Sequence, residues 1–352
     1  MKILKYLLFL ILLIIIGSAI YFGTKDGDYA VSDSIVVAAP AEVVFDKVND
    51  FKNWEGWMPF KQKDPSLTFK YAEKSSGEGA SMSWEGKNSG SITTTKVIPY
   101  KEIQQDLTFK SAAGKRNAKM IWLFETIGDS TKVTWETNGK HTLMEKAYMS
   151  IKGSDFVSRI HTLNNLGLAA MASEVVTDMK KYNINVDGVT QYGGGYYMYT
   201  TSVAKKQEVL EKSAPMIELV KDFVSKNNLS SSGAPFILYN EADKMNNTVI
   251  FSTGIPISER VITPENSPVV CGFMEPVTAL KITLKGNYEN MPEALQKGME
   301  DIRQNDLQVD PERKIFEIYS TDTSQEPNPA KWVSEIYIPI QPKEPPAGEV
   351  GL

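Results

Sequence analysis

Two short segments near the C-terminal end carry the residues best suited to chemistry. KIFEIY (314–319) sets Glu317 and Tyr319 two residues apart, and SEIYIPI (334–340) does the same with Glu335 and Tyr337. Both runs read as strands, in which alternate side chains share a face. Glu317 and Tyr319 then point one way, and Phe316 and Ile318 the other. Glu335, Tyr337 and Pro339 share a face opposite Ile336 and Ile338. The alternation predicts that two carboxylates and two tyrosines converge on the less apolar face of one sheet. A carboxylate held dry there, with its pKa raised and a phenol beside it, would fit a general base in a hydrolysis. The plain alternative is a pair of exposed, solvated glutamates.

The rest of the composition closes off other chemistries. The single cysteine, Cys271, excludes an intrachain disulfide and a cysteine-based zinc site. His141 and His161 are too few for a histidine-rich metal site. Neither lies near a G-x-S-x-G elbow, and the chain has no such motif. They are expected as a loop residue and a helix-surface residue. No metal or cofactor is expected. A net charge of -5 gives no electrostatic pull toward nucleic acid. The 42% hydrophobic and 23% charged content belongs to folded material, and 352 residues suggest about two domains.

The elements that must position Glu317 repeat. Phe236-Ile-Leu-Tyr239 returns as Phe316-Glu-Ile-Tyr319, and Gly254-Ile-Pro-Ile257 returns as Tyr337-Ile-Pro-Ile340. A helix opening near Pro215 returns near Pro292, and a strand precedes each helix: Tyr196–Val203, then Val277–Lys285. Four matches in one order predict a duplicated β-α-β-β unit. Two such units would pair into one antiparallel sheet with both helices on one side. A ligand groove would fall at the pseudo-twofold, either between the helices or on the opposite sheet face. At the position matching Glu317 the first half has Ile237, so the carboxylate belongs to one half only.

These residues resemble the GyrI-like small-molecule-binding domain, also found as the effector domain of AraC-type regulators. The resemblance is carried by GAPFILY (233–239), FSTGIPI (251–257), TLKGNYENMPEALQKGMEDI (283–302), KIFEIY and SEIYIPI, and spans most of residues 190–342. It implies a pocket of aromatics around an acidic residue: by position, Glu317 and Glu335 with Tyr239, Tyr288, Tyr319 and Tyr337. Such a pocket binds cationic aromatic compounds by charge and cation–π contact. Some relatives hydrolyse reactive small molecules with a Glu and a Tyr, a role for which Glu317 and Tyr288 would serve. No helix-turn-helix precedes the domain, so direct transcription control is not expected.

The preceding residues give one strand (SIVVA, 34–38), an amphipathic helix after Pro40, a turn rich in Phe51, Trp54, Trp57 and Phe60, about six strands, and a long helix from Phe156 to Lys181. A sheet of that kind must be covered by the long helix, and the space between is a core or a cavity. The order, and the segment SIVVAAPAEVVFDKVNDFKNWEGWMPF (34–60) in particular, resembles the START-like or SRPBCC (polyketide cyclase/dehydrase) superfamily. That resemblance implies an apolar ligand tunnel under the long helix. Trp54, Trp57, Trp84, Trp122 and Trp135 would line it or fill it. In the closing helix, Gly167 and its neighbouring alanines suit either a ligand or close helix-on-sheet packing.

At the N-terminus, Tyr6–Phe22 carries no charge and follows Lys2 and Lys5. About 17 to 20 apolar residues in helix span roughly 25 to 30 Å, close to a bilayer core. The lysines place the remainder of the chain outside the inner membrane. Cleavage at Gly17-Ser18-Ala19 is the competing reading, and the apolar run continuing past that site favours an uncleaved anchor. The expectation is an α+β chain: anchor and linker at 1–28, a helix-grip START-like domain at 29–185, a duplicated GyrI-like domain at 186–342, and a proline-rich tail at 343–352. It would be a membrane-tethered binder of a small apolar or cationic aromatic ligand, with a hydrolase or a filled structural module as the alternatives.

Overall fold

A computed structural model describes residues 2–59, 61, 64–86, 89–111, 114–152, 156–243 and 245–341. Phe60, the turn residues Lys87, Asn88 and Ala113, and the tail 343–352 lie outside the described residues. The fold is mixed α and β, with two antiparallel sheets and an apolar N-terminal helix. The chain divides into two compact units, Met1–Asp178 and Met179–Leu352.

The first unit opens with α1 (Lys2–Thr24), whose stretch Ile3–Thr24 is long and apolar enough to cross a membrane. Strands β1 (Asp28–Val37), β2 (Thr68–Tyr71), β3 (Ser81–Glu85), β4 (Ser89–Ile98), β5 (Glu102–Ser111), β6 (Gly114–Ile127) and β7 (Ser130–Lys140) form a sheet in the order β1-β7-β6-β5-β4-β3-β2. The first strand thus pairs with the last, from Asp28↔Lys140 to Val37↔Thr131. Alternation sets the core: Thr131, Val133, Trp135 and Thr137 of β7 are buried, and the residues between them are half-exposed. Pro40 leads into α2 (Ala41–Asn49), which buries Ala41, Val44, Phe45 and Val48.

A helix α3 (Leu143–Lys152) precedes the long α4 (Phe156–Met179). The buried face of α4 is Asn164, Gly167, Leu168, Met171 and Val175, while Leu166 is exposed. Lys47 of α2 bonds Glu174 and Asp178 of α4, at 2.9 Å each.

In the second unit, β8 (Asn183–Tyr192), β9 (Gly195–Lys205), β10 (Phe236–Asp243), β11 (Thr248–Ile257), β12 (Val270–Met274), β13 (Val277–Lys285), β14 (Phe316–Tyr319) and β15 (Val333–Pro339) form a sheet in the order β12-β9-β11-β10-β14-β15-β13-β8. Helix α5 (Val209–Lys226) lies between β9 and β10, and α6 (Met291–Gln304) between β13 and β14. The order strand, helix, strand, strand therefore occurs twice, and the strand order is symmetric about the β10–β14 junction. Both helices cover one face, where Met291, Ala294 and Ile302 pack on Ile282, Ile336 and Ile338, and Val220 and Val224 pack on Met198, Ile255 and Ile257. Pro292 sits in the first turn of α6, as its missing N–H allows. By contrast, α5 begins six residues ahead of Pro215 and carries that proline on its exposed side. The proline therefore does not mark the helix start.

Candidate functional site

Glu317 lies on β14 beneath the helices of the second unit, and is only 5% exposed. Its direct neighbours are Ile237 on β10 and Ile336 on β15. Tyr319 Oη donates to Glu317 Oε2 at 2.7 Å, and Tyr239 supplies a second hydrogen bond. Burial pushes the carboxyl above its ordinary range, against the effect of the two phenols. Among the described residues no cation pairs with it. Tyr319 and Tyr239 are themselves pushed up, first by burial and then by the Glu317 charge.

Tyr288, in the turn before α6, stands edge-on to Tyr319 with ring centres 4.8 Å apart, and against Trp332 at 4.9 Å. Its hydroxyl donates to the Thr321 carbonyl at 3.1 Å, and its pKa is pushed up to about 12 by burial. It is therefore part of the aromatic surround and is not bonded to Glu317. Trp332 completes that surround, with Nε1 donating to the Glu326 carbonyl at 2.7 Å. On the same cross-strand row as Ile237 and Glu317, Thr253 Oγ1 is buried with no hydrogen-bond partner. Neither Trp332 nor Thr253 was picked out from the sequence. Trp332 follows a proline-rich loop with no strand periodicity of its own, whereas Thr253 lies within FSTGIPI, where alternation marks it as inward.

The register corrects the expected convergence of carboxylates. Glu317 pairs with Ile336, and Glu335 with Ile318. Directly opposed residues share a face, so Glu335 and Tyr337 lie on the face away from the helices. There Glu335 is neutralised by Lys281, at 2.7 Å, and accepts from Tyr337 Oη at 2.9 Å. The Tyr337 ring stacks on Phe316, with centres 4.8 Å apart. Its hydroxyl pKa is raised by burial and then by Glu335. The site residues of this unit thus fall into two groups: Glu317, Tyr239, Tyr319 and Tyr288 on one face, and Glu335 and Tyr337 on the other.

In the first unit, a cavity of about 520 Å³ lies between the sheet and α4. Its wall is mostly apolar and includes Trp84, Leu107, Met120, Trp135, Ile160 and Leu163, with Asp64, Arg116, Thr137, Arg159 and Asn164 among its polar members. Of the five tryptophans proposed for a tunnel, Trp84 and Trp135 reach this wall. Trp54, Trp57 and Trp122 are fully buried beside it. They form a connected aromatic cluster, with ring centres 4.7 Å apart for Trp54–Trp57, 5.9 Å for Trp57–Trp122 and 4.4 Å for Trp122–Trp135. Trp54 Nε1 bonds the Val48 carbonyl and Trp122 Nε1 bonds Gln105. Trp135 lines the cavity, while its Nε1 is buried without a hydrogen-bond partner.

Arg116 lies over the Phe156 ring, 4.5 Å from its centre, and bonds Glu145 of α3. Burial opposes ionisation of Glu145, yet the Thr142 N–H and Arg116 hold its pKa below the usual carboxylate range. His141 is buried against Tyr29 and Phe156, and burial with the nearby Arg116 and Lys146 charges lowers its pKa. It is a loop residue, as expected, but a packed one. His161 Nδ1 lies 2.8 Å from Asp33 Oδ1 on the α4 surface.

The family comparison falls on this unit, as a ligand-binding type of fold. A sequence profile described as polyketide cyclase / dehydrase and lipid transport matches residues 29–146. Among solved structures, the EcmrR C-terminal domain is 15% identical at a TM-score of 0.39, with 46% of this chain and 98% of that one covered. Protein CV1439 from Chromobacterium violaceum is 14% identical at a TM-score of 0.33, with 42% and 96% covered. The Aha1 dimer from Colwellia psychrerythraea is 14% identical at 0.31, again with 42% and 96% covered. No curated protein matches the chain.

Proposed function

We propose that the protein is a membrane-anchored, non-catalytic binder of small molecules with a sensing or sequestering role. The observation that carries this reading is the 520 Å³ cavity under α4, a volume suited to a drug-sized ligand. Its apolar wall calls for an apolar body. Helix α1 is the anchor. With Lys2 and Lys5 retained at the cytoplasmic surface, both units lie on the extracytoplasmic side of the inner membrane.

One observation favours a second site, in the second unit: Glu317 is a buried carboxylate with no cation partner among the described residues. A cationic aromatic ligand would supply that partner and meet Tyr239, Tyr288, Tyr319 and Trp332 as faces for its charge. The symmetric strand order supports reading this unit as a duplicated GyrI-like domain.

The test is a thermal-shift series on the full chain in nanodiscs, with oleate and with tetraphenylphosphonium. Oleate should raise the transition of the wild type and lose its effect in Leu163→Trp, which fills the cavity. Tetraphenylphosphonium should act on the wild type and not on Glu317→Gln. A shift from neither ligand would sink the binding reading in favour of filled cores. Turnover of an electrophilic ester that vanishes in Glu317→Gln would replace the binder with a hydrolase.

A further inference from the structure

Helix α3 is built inside out. Its charged residues Glu145 and Lys146 are buried, while Leu143, Met144 and Tyr148 are 50%, 75% and 62% exposed. In water this leaves apolar surface exposed and desolvates two charges. The buried charges have structural partners. Glu145 holds Arg116 and closes a capping box on Thr142: the Thr142 N–H donates to Glu145 Oε2 at 2.9 Å, and the Glu145 N–H donates to Thr142 Oγ1 at 3.3 Å. Lys146 Nζ donates to the Phe22 carbonyl at 3.2 Å and to the Lys25 carbonyl. The Phe22 carbonyl belongs to the last turn of α1, where helix carbonyls lack intrahelical partners and a cation is favoured. Lys146 therefore fastens α3 to the end of the membrane-length helix.

The same end of α1 carries groups suited to a bilayer surface. Lys25 Nζ sits 4.4 Å from the Tyr21 ring centre and 5.8 Å from that of Phe22. Aromatic residues beside a lysine are typical of the headgroup level. Leu143 Cδ2 lies 4.0 Å from the place a Cβ would occupy on Gly23. The exposed apolar face of α3 thus begins at the depth where α1 leaves the hydrocarbon.

We propose that α3 is an interfacial helix that seats Leu143, Met144 and Tyr148 in the headgroup–acyl boundary of the bilayer spanned by α1. The proposal rests on the anchor reading of α1. The occupant is the bilayer because α3 is bonded to the anchor itself, so that lipid lies at this face whenever α1 is inserted. Apolar side chains buried in that boundary are how an interfacial helix holds its place. The arrangement also ties the cavity wall to this helix, since Arg116 of that wall is held by Glu145 of α3.

The experiment uses the full chain with Cys271→Ser and one new cysteine, Met144→Cys or, as a control on exposed β4, Thr95→Cys. Each is labelled with an environment-sensitive fluorophore in vesicles of phosphatidylcholine with a minority of phosphatidylglycerol. The expected result is a blue-shifted Met144→Cys label quenched by nitroxide on the lipid headgroup, with the Thr95→Cys label aqueous and unquenched. Flotation with the vesicles reads the anchor separately. A chain that does not float loses both readings. A chain that floats with an aqueous label at position 144 loses this proposal alone. A label that turns apolar only as the protein-to-lipid ratio rises, without nitroxide quenching, assigns the face to a second copy and also overturns it.

Discussion

At the scale of single residues, the Glu317 carboxyl sets the pH behaviour of its unit. Burial raises its pKa above the ordinary 4.5 in the folded state. Between those two values the folded chain holds a proton that the unfolded chain releases, so stability falls as pH rises through the window. Glu317→Gln removes the titration. The variant should gain on the wild type as pH rises above about 4.5, a trend that denaturant melts at a series of pH values would show. A wild type that keeps pace with the variant as pH rises would mean that the charged form has a partner of its own. Tyr319→Phe deletes the 2.7 Å hydrogen bond and should cost about 1–3 kcal/mol, and more once pH is high enough to ionise the carboxyl, because the phenol favours the charged form. Strand alternation alone placed Glu317 and Tyr319 on one face. It could not place Glu335, because alternation is a property of one strand and register a property of two. A shift of one residue moves every side chain to the other face. The Glu317↔Ile336 pairing is set by the loop between β14 and β15, whose Trp332 anchors on Glu326, and nothing periodic in that loop announces it.

At the scale of elements, close packing explains the small residue in α4. A Cβ on Gly167 would stand 2.7 Å from the Trp135 ring and 3.2 Å from Pro59 Cδ, both rigid neighbours. Gly167→Ala gains roughly 0.5–1 kcal/mol of helix propensity but forces overpacking that costs about 1–3 kcal/mol, so net destabilisation is expected in thermal melts. Net stabilisation would show that the helix rides farther from the sheet. Of the choices the sequence left open at this position, the structure takes packing. Most strands of the first unit were legible from alternation and turn residues, and α2 from Pro40 and its apolar spacing. Helix α3 was not, because its exposed face is the apolar one and periodicity therefore points the wrong way. Its one local signal is the capping box Thr142-Leu-Met-Glu145. Thr142→Ala should cost about 1 kcal/mol and speed amide exchange within α3 before it changes exchange in α4. Equal acceleration in both helices would mean that they open as one element.

At the scale of the whole molecule, each unit has an aromatic or aliphatic core of its own. In the first, the indoles of Trp54, Trp57, Trp122 and Trp135 form one connected cluster beside the cavity. In the second, Ile237, Leu280, Ile282, Ile336 and Ile338 pack under the helices. Units with separate cores can unfold separately, so one melting temperature need not describe the chain. Trp122→Ala removes a fully buried ring from the first core and should cost about 3–5 kcal/mol there. Ile237→Ala does the same to the second core at about 2–5 kcal/mol. In calorimetry of the full chain in nanodiscs, each variant should lower a different transition and leave the other in place. Ligands should divide in the same way, with oleate moving the transition that Trp122→Ala lowers and tetraphenylphosphonium the one that Ile237→Ala lowers. If either substitution moves both transitions together, the units are energetically coupled. A ligand bound in one unit would then be felt in the other, which is what a sensor needs and a sequestering protein does not.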